Sequence, residues 1–122
     1  MTLKECYAVL GGDYENVLGR LPSERMVQKF VLKFLNDGSY DLLCRSLADG
    51  DRAEAFRAAH TIKGVCANLG FSALLESSEQ LTEALRDGAP PQPGEEELIR
   101  RVGEDYQRTV QAIQAFQGAL GA

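Results

Sequence analysis

Several residue types are scarce in this 122-residue sequence, and each scarcity argues against a class of protein. Tryptophan is absent, and there are only one histidine and three cysteines. Cys6, Cys44 and Cys66 are widely spaced and form no C-x-x-C pair, which argues against a disulfide framework, a redox motif or a zinc site. We therefore expect no bound metal, and we expect the cysteines to act as small buried apolar residues.

Basic charge and long apolar runs are scarce as well. The sequence has 13 Lys and Arg against 18 Asp and Glu, a formal net charge of −5. This balance argues against nucleic acid or an anionic membrane surface as the partner, because both require basic patches. No apolar run reaches the roughly 18 residues of a membrane span, and the first residues show no secretion signal. We expect a single cytoplasmic domain over residues 1–122.

Apolar residues recur with a helical period along nearly the whole sequence, and no strand alternation is evident. Ser23, Asp51 and Ser72 are candidate N-caps, while Gly70 and Gly88 are candidate stops. The predicted helices cover residues 2–10, 13–18, 23–35, a short segment ending at 49–50, 51–69, 72–87 and 95–117. Amphipathic helices with short connections predict an all-α fold, an antiparallel four-helix bundle in up-down-up-down order with extra short N-terminal helices.

His60 lies in the middle of the predicted helix over residues 51–69. On a helical wheel, at about 100° per residue, the apolar side chains fall on the side opposite the histidine. They are Ala55, Ala58, Ala59, Ile62, Cys66 and Leu69. We therefore expect the imidazole to face solvent.

Lys63 and Gly64 lie about one turn beyond His60 and should flank its ring. A glycine inside a helix costs about 1 kcal/mol relative to alanine, which favours a role in close approach at Gly64. An unperturbed imidazole is largely neutral at pH 7 and can act as a nucleophile, and a lysine can offset phosphate charge. These three residues therefore suit a phosphoryl acceptor.

Residues 59–70, AHTIKGVCANLG, resemble the phosphorylation motif of histidine-containing phosphotransfer (HPt) domains, approximately H-x-L-K-G-x-x-x-x-L-G. The resemblance extends over about residues 24–87. It implies that Nε2 of His60 accepts a phosphoryl group from one receiver-domain aspartate and passes it to another. It also implies that Lys63 helps to hold this group and that Gly64 keeps the approach open.

The resemblance further implies a phosphoryl carrier without its own ATP site, and so not an enzyme. No cofactor is expected on the chain, because Mg²⁺ belongs to the receiver partner. The implied partners are response-regulator receiver domains, with a hybrid histidine kinase as a further candidate. The resemblance also implies a monomer, although some relatives of this family dimerise.

Receiver docking is predicted for residues around the histidine: Phe56, Arg57, Ala67 and Arg86, with Ala53 one turn further back. Many members place a glutamate or glutamine on the following helix, near the ring. This chain has Thr82 there, whose shorter hydroxyl is predicted to bond the other ring nitrogen.

Two other functions are open at this stage. The first is a helical interaction module that binds receivers without transferring phosphate, although the complete set of His60, Lys63 and Gly64 favours transfer. The second is a fragment of a sensor histidine kinase, where an acidic residue usually follows the histidine. Here Thr61 follows it, and no glycine-rich nucleotide loop is present.

Overall fold

The computed structural model describes residues 1–121, and within that range it is helical without a strand. The all-α prediction is therefore confirmed. Seven α-helices occur in the described range: α1 (Leu3–Leu10), α2 (Tyr14–Arg20), α3 (Glu24–Lys33), α4 (Ser39–Asp49), α5 (Arg52–Leu69), α6 (Ser72–Leu85) and α7 (Glu95–Leu120). Short 3-10 turns follow α3 at Phe34–Asn36 and α6 at Arg86–Gly88.

Polar side chains explain where several helices begin. Four of them accept a hydrogen bond from a backbone N–H three residues further on: Thr2, Asp13, Ser23 and Asp51. The predicted cap at Ser72 is wrong. Phe71 occupies the N-cap position, and α6 begins without a side-chain cap.

The four longer C-terminal helices pack in chain order, α4 against α5, α5 against α6 and α6 against α7, while α1 packs against α7. The helices α5 and α6 both bury small side chains, which suits a close approach of their backbones. On α5 these include Ala55, Ala58 and Ala59, and on α6 they are Ser77, Ser78 and Thr82. The result is a helical bundle, and the up-down-up-down order stays a prediction.

The cysteines differ from one another in their exposure. Cys6 and Cys66 are buried as predicted, but the prediction of burial is wrong for Cys44, which is exposed on α4. Burial raises the pKa of the Cys6 thiol to about 11. The pKa of the Cys66 thiol is raised further, mainly by burial. Both thiols therefore remain protonated near neutral pH.

The C-terminal end of α5 is held by donors from the first twenty residues. The last carbonyls of a helix lack partners within the helix and need donors from elsewhere. The contacts run from the Arg20 guanidinium to the carbonyls of Ala67 and Asn68 (both 2.8 Å), from the Tyr7 hydroxyl to that of Leu69 (2.6 Å), and from the Asp13 N–H to that of Gly70 (2.8 Å). We call this set of contacts the α5 junction.

Gly70 is required at the α5 junction for two reasons. Its φ of +72° lies in the left-handed region that disfavours other residues. In addition, a Cβ at this position would lie only 2.9 Å from the backbone oxygen of Asp13. The glycine that closes the sequence motif is thus explained by backbone geometry and by packing.

We predict that Gly70→Ala destabilises the fold much more than Gly50→Ala. Both glycines have a φ of +72°, but nothing lies within 4 Å of a Cβ at Gly50. The Gly50 variant should therefore lose only the backbone term, about 1–2 kcal/mol. The Gly70 variant should lose about 3 kcal/mol or more, because overpacking adds to that term. Urea unfolding measures both, and equal losses would contradict the close approach at the α5 junction.

Candidate functional site

The structure places His60 on the exposed face of α5, and the helix buries the opposite face. The buried residues of α5 are the six that the wheel predicts: Ala55, Ala58, Ala59, Ile62, Cys66 and Leu69. The predicted direction of the imidazole is therefore confirmed. Because the core face consists mainly of small residues, α5 packs closely on its neighbours while its outer face stays open.

The imidazole of His60 stacks on the ring of Phe56, one turn earlier on α5. The ring centroids are 6.0 Å apart, and the planes differ by 9°. Phe56 is half-buried and packs against the core, so it forms a partly fixed support beside the exposed histidine. Within residues 1–121 the histidine ring makes no hydrogen bond, so this stack is its principal defined contact.

Arg86, from the 3-10 turn that follows α6, contacts the same phenylalanine. Its guanidinium carbon lies 5.5 Å from the centroid of the Phe56 ring. Glu83 fixes this guanidinium through two hydrogen bonds, one of 3.1 Å from Nε and one of 2.6 Å from Nη2. Sequence reasoning missed Glu83, although its i, i+3 spacing from Arg86 is a recognisable signal for such a pair.

Lys63 is half-buried and lies one turn beyond His60 on α5. The pKa of Glu83 is lowered, chiefly by its hydrogen bond with Arg86 and to a smaller extent by the charge of Lys63. The charge of Lys63 therefore acts on the Glu83 carboxylate of α6. Lys63 is thus one turn from His60 on α5, while Arg86 contacts the Phe56 ring on which the imidazole stacks.

Gly64 is exposed, and nothing lies within 4 Å of a Cβ built at this position. Neither a positive φ nor packing within the chain therefore requires glycine here, unlike at Gly70. The residue leaves a gap in the helix surface next to His60. This is the geometry expected where another molecule must approach closely.

The remaining predicted docking residues are exposed. Arg57 forms an ion pair of 2.5 Å with Glu54 one turn earlier, and Ala67 lies near the end of α5. The Ala67 carbonyl accepts from Arg20, so α2 borders the exposed face at this end. The structure does not test docking, and the roles of these residues stay predictions.

Thr82 does not take the role predicted for it. The residue is fully buried in α6, and its hydroxyl donates a 2.6 Å hydrogen bond to the Ser78 carbonyl. No hydrogen bond joins it to His60 among the described residues. The hydroxyl therefore uses its proton inside α6, and no described hydrogen bond from the imidazole reaches its lone pairs.

Residues 1–121 contain neither a metal-binding cluster nor a membrane-spanning helix. No group of three or more His, Cys, Asp and Glu side chains is arranged to hold a metal ion. None of the helices in this range has the length and apolar character needed to cross a membrane.

Comparison with protein families identifies the class of this chain. The family model described as Hpt domain matches residues 35–116, more than half of the chain, and the match includes His60. The chain therefore belongs to the Hpt domain family. Members of this family are phosphocarrier modules of two-component phosphorelays, which interact with receiver domains and kinases. Comparison with curated proteins and with solved structures found no match.

We predict that Gly64→Ala makes the protein more stable. Alanine has no neighbour to displace here and favours the helix by about 1 kcal/mol relative to glycine. Gly103→Ala on α7 is the matched control, because a Cβ there would lie 3.1 Å from the Tyr40 hydroxyl. Its gain should be smaller. Thermal and urea unfolding measure both variants, and a loss of stability at Gly64 would show that the site is packed rather than open.

Proposed function

We propose that this protein relays a phosphoryl group between receiver domains and that His60 is the residue that carries it. The observation that supports this most directly is the position of His60. It is exposed on α5 opposite a completely buried face, with Lys63 and the open surface of Gly64 one turn further on. The sequence contains no second histidine that could take this role.

The proposed reaction is a displacement at phosphorus. The lone pair of Nε2 of His60 attacks the phosphorus of an aspartyl phosphate on the donor receiver, and the P–O bond to the aspartate breaks. The electron pair leaves with the carboxylate, while the other ring nitrogen keeps its proton. The reverse displacement, by a carboxylate of the acceptor receiver, returns the imidazole to its starting state. Nε2 is the ring atom remote from the helix backbone, so it is the one open to a partner.

In this proposal the chain contributes the position of the nucleophile, His60, and one positive charge, that of Lys63. Lys63 lies one turn from His60, and its ammonium is proposed to offset the charge of the phosphoryl oxygens. The larger electrostatic contribution comes from the receiver, whose acidic pocket and Mg²⁺ stabilise the transferring group. The chain itself is therefore proposed to need no cofactor.

The functional unit is proposed to include the N-terminal helices as well as the matched range. The α5 junction ties Tyr7, Asp13 and Arg20 to the end of the helix that carries His60. The helix α1 also packs on α7. We accordingly treat residues 1–121 as one domain that presents one exposed histidine.

We predict that a phosphorylated receiver domain labels the wild-type protein and that His60→Gln abolishes the label. Glutamine keeps polarity and helix propensity but has no nucleophilic nitrogen, so folding should be unaffected. Labelling is followed with ³²P, and circular dichroism checks the fold. If the variant still accepts phosphate, the assignment of His60 is wrong. If the wild type binds phosphorylated receivers without becoming labelled, the chain is an interaction module rather than a carrier.

We also predict that Gly64→Gln slows transfer by about 10- to 100-fold, because a displaced partner loses the alignment that the reaction needs. Gly118→Gln is the control, since Gly118 is also helical and has nothing within 4 Å of a Cβ. That variant should transfer at the wild-type rate. Rapid-quench kinetics with the same receiver compare the two. Equal rates for Gly64→Gln and wild type would contradict a role for Gly64 in the approach.

A further inference from the structure

We propose that Phe56, supported by Arg86, orients the imidazole of His60 for phosphoryl transfer. The inference rests on the proposed function and adds a positioning residue to it. Phe56 is thus assigned an effect on the reacting ring itself, beyond any contact with a docked receiver.

The imidazole of His60 needs an orienting contact. The ring of an exposed histidine rotates about χ1 and χ2, and the χ2 torsion has only a broad preference. Within residues 1–121 no hydrogen bond fixes either ring nitrogen of His60, and none joins the ring to the buried Thr82 hydroxyl, which donates to the Ser78 carbonyl. Without a further contact, Nε2 would sample many directions. An attacking nitrogen that is held in one direction reacts faster than one that is not.

The Phe56 ring supplies such a contact. A centroid separation of 6.0 Å with nearly parallel planes lies in the range of offset aromatic stacking. The two residues are one turn apart on the same helix, so the rigid backbone of α5 fixes their spacing. Stacking restricts the plane of the imidazole but leaves both of its nitrogens free of other partners. It therefore orients Nε2 without occupying it.

The Phe56 ring is itself held in place. One part of the side chain packs against the core. The Arg86 guanidinium lies over the ring at 5.5 Å, within the range of a cation–π contact. Glu83 accepts two hydrogen bonds from that guanidinium at the exposed end of α6. The packing of α6 on α5 is thereby linked to the direction of the histidine ring.

The orientation of the ring is tested by NMR on the unphosphorylated protein, where the single histidine gives one set of ring signals. The ring current of Phe56 should move the His60 Hδ2 and Hε1 resonances away from their positions in an unstructured peptide. Phe56→Leu should remove this displacement, and Phe56→Tyr should keep it. Arg86→Gln should reduce it, and Arg86→Lys should restore part of it. Identical His60 signals in wild type and Phe56→Leu would overturn the stack.

The effect on reactivity is tested with phosphoramidate, which does not dock as a receiver does. Nε2 of His60 attacks its phosphorus, the P–N bond breaks, and ammonia leaves after taking up a proton. Phe56→Leu should slow this reaction about fivefold, the factor that corresponds to a contact of about 1 kcal/mol. Phe56→Tyr should react like wild type, and transfer from a receiver should follow the same order. A Phe56→Leu variant that reacts normally with phosphoramidate and slowly with the receiver would overturn the proposal, since Phe56 would then act only in docking.

Circular dichroism establishes that each variant is folded, and Arg86→Gln provides a substitution at an exposed side chain in case Phe56→Leu unfolds. The NMR result does not depend on any phosphoryl transfer. Loss of the proposed function would appear as an unlabelled wild type, whereas failure of this inference would appear as unchanged His60 resonances or an unchanged phosphoramidate rate in a protein that is labelled normally.

Discussion

The burial of one face of α5 is the constraint on which the rest of the structure depends. Six mostly small side chains form that face, and its burial sets the rotation of the helix about its own axis. Once that rotation is set, His60 must point to solvent, with Phe56 before it and Lys63 after it. A substitution in the buried face of α5 would therefore change the rotation of the helix and so redirect His60, even where the substituted residue does not touch the histidine.

The buried face fixes the rotation of α5 but not its position along its own axis. The α5 junction fixes that position. The donors of this junction come from residues 7–20, which lie outside the range matched by the family, 35–116. The family motif therefore contains Gly70, which permits the close approach of the Asp13 backbone. The N-terminal groups that make this approach lie outside the motif. The helix α5, which carries the family motif, is thus held partly by an N-terminal segment that the family match does not include.

The elements that the sequence predicted well are those governed by local rules. The buried face of α5 follows from a period of 3.6 residues, and the caps at Ser23 and Asp51 follow from side chains next to the helix they begin. The prediction failed where distant contacts decide the outcome. The Tyr7 hydroxyl, for example, donates to a carbonyl 62 positions away. The contact of Arg86 with the Phe56 ring also depends on how α6 lies against α5, which periodicity does not specify.

The central claim is that Nε2 of His60 carries the phosphoryl group, and one measurement tests it most directly. The protein is labelled with ¹⁵N-histidine, so that all labelled ring signals come from one residue. It is then phosphorylated by a receiver domain and examined for coupling between ³¹P and ¹⁵N. The account predicts a one-bond coupling at Nε2 that disappears when an unphosphorylated receiver is added to accept the group. A phosphorylated protein in which the coupling falls on Nδ1, or in which neither ring nitrogen is coupled to phosphorus, would contradict it.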